Sequence, residues 1–289
     1  MKKAWFWILL LFFISQQSSP LGFSQDAGDK PPLDCGDGYS QDEKTLHVFL
    51  EDLTWPEVKQ ALCSGKRAVL IPTAGTEQNG PHMILGKHHY IIHYTSERIA
   101  RELGTALVAP VIDYVPEGEI SPRTGHMLFP GTISLPEKVF EETLEYAARS
   151  LIANGFEDIF FIGEHGANQA GQAQVALKLS QEFSSKGIHV WHVSNYYSER
   201  NGQVQWLKDQ GLNPEQIGIH AAIRDTSELL AAHPEGIRKE RLAPGASWGQ
   251  EGVWGKPSKA TAEYGEKLLQ LKITAALAQI REFLASKKV

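Results

Sequence analysis

Cysteine is scarce in this chain: Cys35 and Cys63 are the only two in 289 residues. At most one disulfide can form, and spacing alone leaves open whether the two meet or stay free thiols. Positive charge is also in short supply. Lys and Arg number 28 against 34 Asp and Glu, a formal net charge of −6. No basic stripe is present to recruit phosphates, which disfavours nucleic acid and anionic membrane as partners. Long apolar runs are missing as well. The most continuous one, Ala4 to Ile14, is too short to cross a bilayer as a stable helix. There is no internal repeat, no Gly-x-Gly-x-x-Gly and no Gly-Lys-Ser/Thr, so nucleotide binding is not indicated.

The start of the chain reads as a targeting segment. Lys2-Lys3 precedes the apolar stretch, and Gly22-Phe23-Ser24 places small residues at the −3 and −1 positions of a cleavage after Ser24. No cysteine follows closely enough for lipid attachment. The expectation is a signal peptide over 1–24 and a periplasmic or secreted protein with no membrane attachment after cleavage. Residues 25–45, rich in Asp, Gly, Pro and Ser, form a flexible arm. One hydrolase-sized domain then covers 46–289, with the 42% hydrophobic and 21% charged composition of an ordinary globular protein.

From Leu46 the pattern is regular. Thr54-Trp55-Pro56-Glu57 opens a helix with a cap, an early proline and an acid in the first turn. Apolar segments at 67–72, 105–112, 157–162 and 188–194 lack strict alternation, as strands buried on both faces do. Helical stretches lie near 90–103, 136–154 and 169–186, the second opened by a capping box at Ser134-Leu135-Pro136-Glu137. Thr261 to Ala285 is a long amphipathic packing helix. This alternation predicts an α/β fold, a mainly parallel sheet with helices on both faces. The loops 110–133 and 234–258 are long enough to be functional elements.

Two loops carry the chemistry. Thr76-Glu77-Gln78-Asn79-Gly80-Pro81-His82 follows the apolar run Ala68 to Pro72, with His88-His89 further on. Gly163-Glu164-His165-Gly166-Ala167-Asn168 follows Ile159 to Ile162. Ligands and metals in open α/β sheets sit at such strand ends, so the two loops predict one shared site for metal-assisted hydrolysis.

These loops, with Leu53-Thr54-Trp55-Pro56-Glu57, Phe129-Pro130-Gly131-Thr132-Ile133-Ser134, His220 to Ser227 and Gly252 to Glu263, resemble the creatininase (creatinine amidohydrolase) family over nearly all of the chain after the signal. The resemblance implies a three-layer α/β/α fold, a homo-oligomer (commonly a hexamer), and metal-dependent hydrolysis of non-peptide, often cyclic, C–N bonds in a small molecule. Glu77 and His165 match family metal ligands. His88 stands where the family usually has a metal-bridging aspartate, and Asn79 where many members have a second-metal histidine. Ala167 falls where some members have a ligating glutamate. His220 and Asp225 match the family's later histidine and glutamate.

Neutral imidazole ligates one metal, whereas a carboxylate can bridge two. The expected ligands are therefore Glu77, His88 and His165, around one ion rather than two. Zn2+ is favoured, with Mn2+ or Fe2+ as alternatives. The choice between His88 and His89 rests on motif register, since neighbours on an extended segment face opposite ways. His220 is the expected proton shuttle, with Glu164 and Asp225, and then His126, as alternatives. Ser121 and His126, together with Trp248 and Trp254, are the expected substrate-binding residues. His82 is expected to order its loop. Gly245-Ala246-Ser247-Trp248-Gly249 spells a nucleophile elbow but follows no buried strand. A metal-poor binding protein on the same fold, without turnover, is the competing reading.

Overall fold

The computed structural model describes Cys35, residues 47–242 and residues 251–287. The signal segment, nearly all of the arm, Ser247 and Trp248 lie outside them. Four strands form a parallel sheet in the order β2-β1-β3-β4: β1 (Ala68–Thr73), β2 (Ala106–Val108), β3 (Asp158–Gly163) and β4 (His189–His192). All four expected strands are present, and β1 and β3 are buried at every position.

Alternation within those buried strands assigns the layers. Val69, Ile71, Ile159 and Phe161 pack on one face against α1 (Trp55–Cys63), α3 (Glu137–Ala153) and α4 (Asn168–Phe183). Ala68, Leu70, Phe160 and Ile162 pack on the other against α2 (Lys87–Leu103) and the last helix, α8 (Ala262–Ser286). Successive side chains of a strand point to opposite faces, so a β-branched and aromatic run with no polar interruption demands cover on both. The result is a three-layer α/β/α fold. Three shorter helices, α5 (Gln203–Asp209), α6 (Pro214–Ile217) and α7 (Ile223–Ala232), lie between β4 and α8. No helix among the described residues is long and apolar enough to cross a membrane.

Local signals act partly as expected. The Glu57 carboxylate accepts from both the N–H and the hydroxyl of Thr54, each at 2.6 Å, closing the first turn of α1. Cys35 and Cys63 are joined in a disulfide with Cα atoms 5.6 Å apart, which ties the arm to the end of α1. The capping box expected at Ser134 does not form. Pro136 is the N-cap of α3 and no side chain caps it. Ser134 Oγ instead accepts from Glu117 N–H at 2.9 Å and donates to the Gly118 carbonyl at 2.7 Å. It is spent on the neighbouring loop.

Candidate metal centre

The carboxyl ends of three adjacent strands converge on one point. Glu77 follows β1, Glu117 and His126 come from the loop after β2, and His165 follows β3. Asn168, the first residue of α4, fastens two of these ends together: its Nδ2 donates to Thr73 Oγ1 and to the Ala74 carbonyl, both at 2.7 Å. The loop after β2 brings its two side chains together by pairing with itself. His126 N–H donates to the Glu117 carbonyl at 3.1 Å, and Glu119 N–H to Thr124 Oγ1 at 2.8 Å. Gly118 turns this loop at φ +126°, where a Cβ would lie 2.2 Å from the Thr124 carbonyl oxygen. Only glycine fits there.

Ligand atoms of Glu77, Glu117, His126 and His165 all lie within 4.8 Å of one another. His126 Nε2 and His165 Nε2 stand 3.0 and 3.1 Å from Glu77 Oε2, and His165 Nε2 is 3.3 Å from Glu117 Oε2. Even so, Glu77 Oε2 and both oxygens of Glu117 are buried without a hydrogen-bond partner. Buried polar atoms are almost always paired. Ligand atoms crowded together, with buried carboxylate oxygens among them left over, have the arrangement expected around an ion.

The electrostatics agree. Burial and the facing Glu77 carboxylate push Glu117 up to about 10, so without a cation it keeps its proton at neutral pH. Burial also raises Glu77, but the surrounding His165 and His88 rings outweigh it and hold this carboxyl well below the usual range. A divalent cation between them removes the conflict between two carboxylates. The donor set of two carboxylates and two imidazoles suits Zn2+ and also Mn2+ or Fe2+.

Two residues, His88 and Glu164, behave differently from expectation. His88 is beside this four-donor set rather than in it. It occupies the first turn of α2, not an extended segment, with Nε2 2.7 Å from Glu77 Oε1. Burial pushes it down to about 3, so the ring is neutral and donates to the carboxylate, fixing Glu77 in place. His89 turns outward to Asp113 at 2.9 Å. Glu164, one of the expected proton carriers, is buried away from the cavity. Its carboxylate accepts from Lys272 Nζ at 2.6 Å and from the Tyr196 hydroxyl. Asn79 donates from Nδ2 to the Glu77 carbonyl at 2.9 Å and braces its own loop.

A cavity of about 290 Å³ opens over Glu77, His126 and His165, and His220, Asp225, Lys87, His88, Tyr197 and Trp254 also line it. His220 Nε2 lies 3.0 Å from the Gln78 carbonyl oxygen and 3.1 Å from Gln78 Nε2, while Nδ1 faces Glu77 Oε1 at 3.8 Å. Burial and the Lys87 charge push His220 down to about 4. The ring is a neutral base at pH 7. Lys87, Arg224 and the His220 ring hold buried Asp225 ionised against the cost of burial. Trp254, 55% exposed, pairs through its backbone with His220 and forms part of the rim with Ile219. Ser121 is exposed and is not among the lining residues. His82 ties its loop to α7 through Thr226 Oγ1, at 3.0 Å.

Sequence reasoning missed Glu117 altogether and gave His126 a substrate-binding or alternative proton-shuttle role rather than a ligand's. The available signals were the length of the loop 110–133 and its turn glycines, Gly118 and Gly125.

Comparison with known proteins places this geometry in context. Residues 51–280 match the family model for creatininase, described as creatinine amidohydrolase. A creatinine amidohydrolase of Pseudomonas putida is 25% identical over 199 residues, 68% of this chain and 75% of that protein. A mycofactocin precursor peptide peptidase of Mycolicibacterium smegmatis is 24% identical over 237 residues, 74% and 85% of the two chains. A 3-dehydro-scyllo-inosose hydrolase of Thermotoga maritima is 24% identical over 202 residues, and the match spans 60% of its length. A creatininase crystal structure superposes with a TM-score of 0.68 at 23% identity, covering 82% of this chain and 98% of that one. Zinc–zinc and manganese forms of creatininase superpose with a TM-score of 0.67.

Proposed function

The chain belongs to the creatininase family of hydrolases, and from that premise we propose that it hydrolyses an amide-type C–N bond in a small, non-peptide and often cyclic substrate, using one divalent metal ion. The observation that carries this reading is the set of four clustered ligand residues, buried Glu77, Glu117 and His165 with half-buried His126, of which Glu77, His126 and His165 line a cavity. These residues would hold the ion, and His88 would orient Glu77. Zn2+ is the preferred ion, with Mn2+ and Fe2+ as alternatives. One ion is preferred because Asn79 is committed to the backbone and His88 donates to Glu77, which leaves neither as a second cradle.

When bound, such an ion supplies Lewis acidity toward a carbonyl oxygen and toward water. The chain's own residues do the rest. His220 Nδ1 takes the proton that water releases and returns it to the departing nitrogen. Asp225 faces the same cavity as an ionised carboxylate and keeps its floor polar. Trp254 and Ile219 wall the mouth and exclude water around a small ring. A cavity of about 290 Å³ suits a small molecule. One relative is described as a peptidase, so peptide amides belong in the substrate screen. The protein acts after export, as a homo-oligomer on the hexameric pattern.

The test is a screen of lactams, other cyclic amides, carbonyl-bearing sugar derivatives and short peptides, with and without chelator. Turnover of one of them that chelator abolishes and metal restores is expected. A binding protein on this fold would retain a ligand without turnover after Glu77→Ala. Ligand capture without hydrolysis would favour that second reading.

A further inference from the structure

Lys87 does not fit a purely structural role. It sits in the first turn of α2, where the helix field disfavours a cation, and no acidic residue shares that turn. Its side chain is 2% exposed, although buried lysines are rare and costly unless well paired. Its pairing is loose. Nζ is 3.6 Å from Glu77 Oε1 and 3.5 Å from Asp225 Oδ2, whereas charge-assisted bonds run to about 2.7–2.9 Å. Glu77 Oε1 already accepts from His88 at 2.7 Å. An ammonium has three donors, and this one lines the cavity beside the four-donor cluster.

We propose that Lys87 is an anion-holding residue of this cavity, its ammonium taking the negative oxygen of the tetrahedral adduct and then the carboxylate of the product. The proposal deepens the amide-hydrolase reading and rests on it. When the oxygen of water bonds to the carbonyl carbon, the carbonyl π pair moves onto its oxygen and one water proton passes to His220 Nδ1. Collapse breaks the C–N bond, and that proton goes to the leaving nitrogen. The products are a carboxylic acid, which ionises, and an amine. Negative charge thus appears on one oxygen and persists on the carboxylate, next to a cation whose carboxylate partners stand 3.5 and 3.6 Å away. The first-turn N–H groups of α2 add their field in the same sense. A fixed ammonium there does what a second metal ion would do, without needing ligands.

The experiment compares acetate with acetamide, two probes of one shape that differ in charge, by calorimetric titration into metal-loaded protein. Metal content is measured on the same samples. In wild type, acetate is expected to bind more tightly than acetamide. Lys87→Met is expected to keep its metal content and its acetamide affinity while the acetate-to-acetamide ratio falls about tenfold, the loss of one charge-assisted bond. Lys87→Arg restores most of the ratio. Lys87→Gln, which keeps a donor toward Asp225, is read in the same way if the Met variant does not fold. An unchanged ratio in metal-loaded Lys87→Met or Lys87→Gln overturns the proposal, as does a parallel loss of both probes and of metal. Wild-type protein that takes up no divalent ion sinks the hydrolase reading itself, and the metal content tells the two failures apart.

Discussion

Glu117 concentrates the chemistry of the site in one side chain. Its two oxygens are buried with no hydrogen-bond partner, and its ligand atom lies within 4.8 Å of those of Glu77, His126 and His165. Replacing a ligating oxygen with an amide removes charge and keeps shape. Glu117→Gln is therefore expected to fold normally and to lose more than about 100-fold in metal affinity, beyond what an outer-shell change costs. Competition with a chromophoric chelator reads this directly, and unchanged affinity would remove Glu117 from the ligand set. At this scale the sequence was informative where a motif carried the residue. Glu77, His165 and His220 converge on the cavity. Glu117 carried no such mark. A lone glutamate in a long loop has no periodicity or spacing that announces it, and only the folded loop sets it against β1.

The element that positions Glu117 is the loop after β2, and its brace is Ser134. Losing that hydroxyl leaves the Glu117 N–H buried without an acceptor. Ser134→Ala is expected to cost about 1–3 kcal/mol of stability and about 10–100-fold in metal affinity. Chemical denaturation and metal titration measure the two effects, and a variant indistinguishable from wild type in both would show that the brace is idle. The capping-box reading of Ser134 failed for a physical reason. The same hydroxyl can cap a helix or bind another loop, and the tertiary partner won here. Helices and strands were easier to read. The runs forming β1 and β3 are buried on both faces, and that demand is written into their apolar composition. Loop conformation is not written locally, because His126 and Glu117 meet through backbone pairing between residues nine apart.

Across the whole molecule, a buried charge network joins the last helix to the site. Lys272 Nζ, on α8, bonds Glu164 at 2.6 Å and Glu228 at 3.0 Å, and Gln203 and Tyr196 complete the ring of partners. Lys272→Met would strand two buried carboxylates and is expected to destabilise the fold by about 3–5 kcal/mol. Adding Glu164→Gln and Glu228→Gln should recover part of that loss, measurable by urea unfolding. Recovery by none of it would mean that the helix is held by packing alone.

Acid should weaken the fold through buried histidines at that same scale. Burial and the Lys87 charge push His82 down to about 4, and burial does the same to His192. The unfolded chain takes up these protons near 6.5 and the folded chain only near 4. Between those values the unfolded state binds more protons, so stability falls as pH drops through that window. His192→Gln is expected to flatten the slope in urea unfolding followed from about pH 7 to about pH 4.5. An equally steep slope would contradict the assignment.

The central claim, a divalent ion between the ends of three neighbouring strands, is tested most directly by anomalous diffraction from crystals grown with zinc. The account predicts one anomalous peak, about 2.0–2.2 Å from an oxygen each of Glu77 and Glu117 and from a ring nitrogen each of His126 and His165. No peak there, or a peak held by other residues, would contradict it.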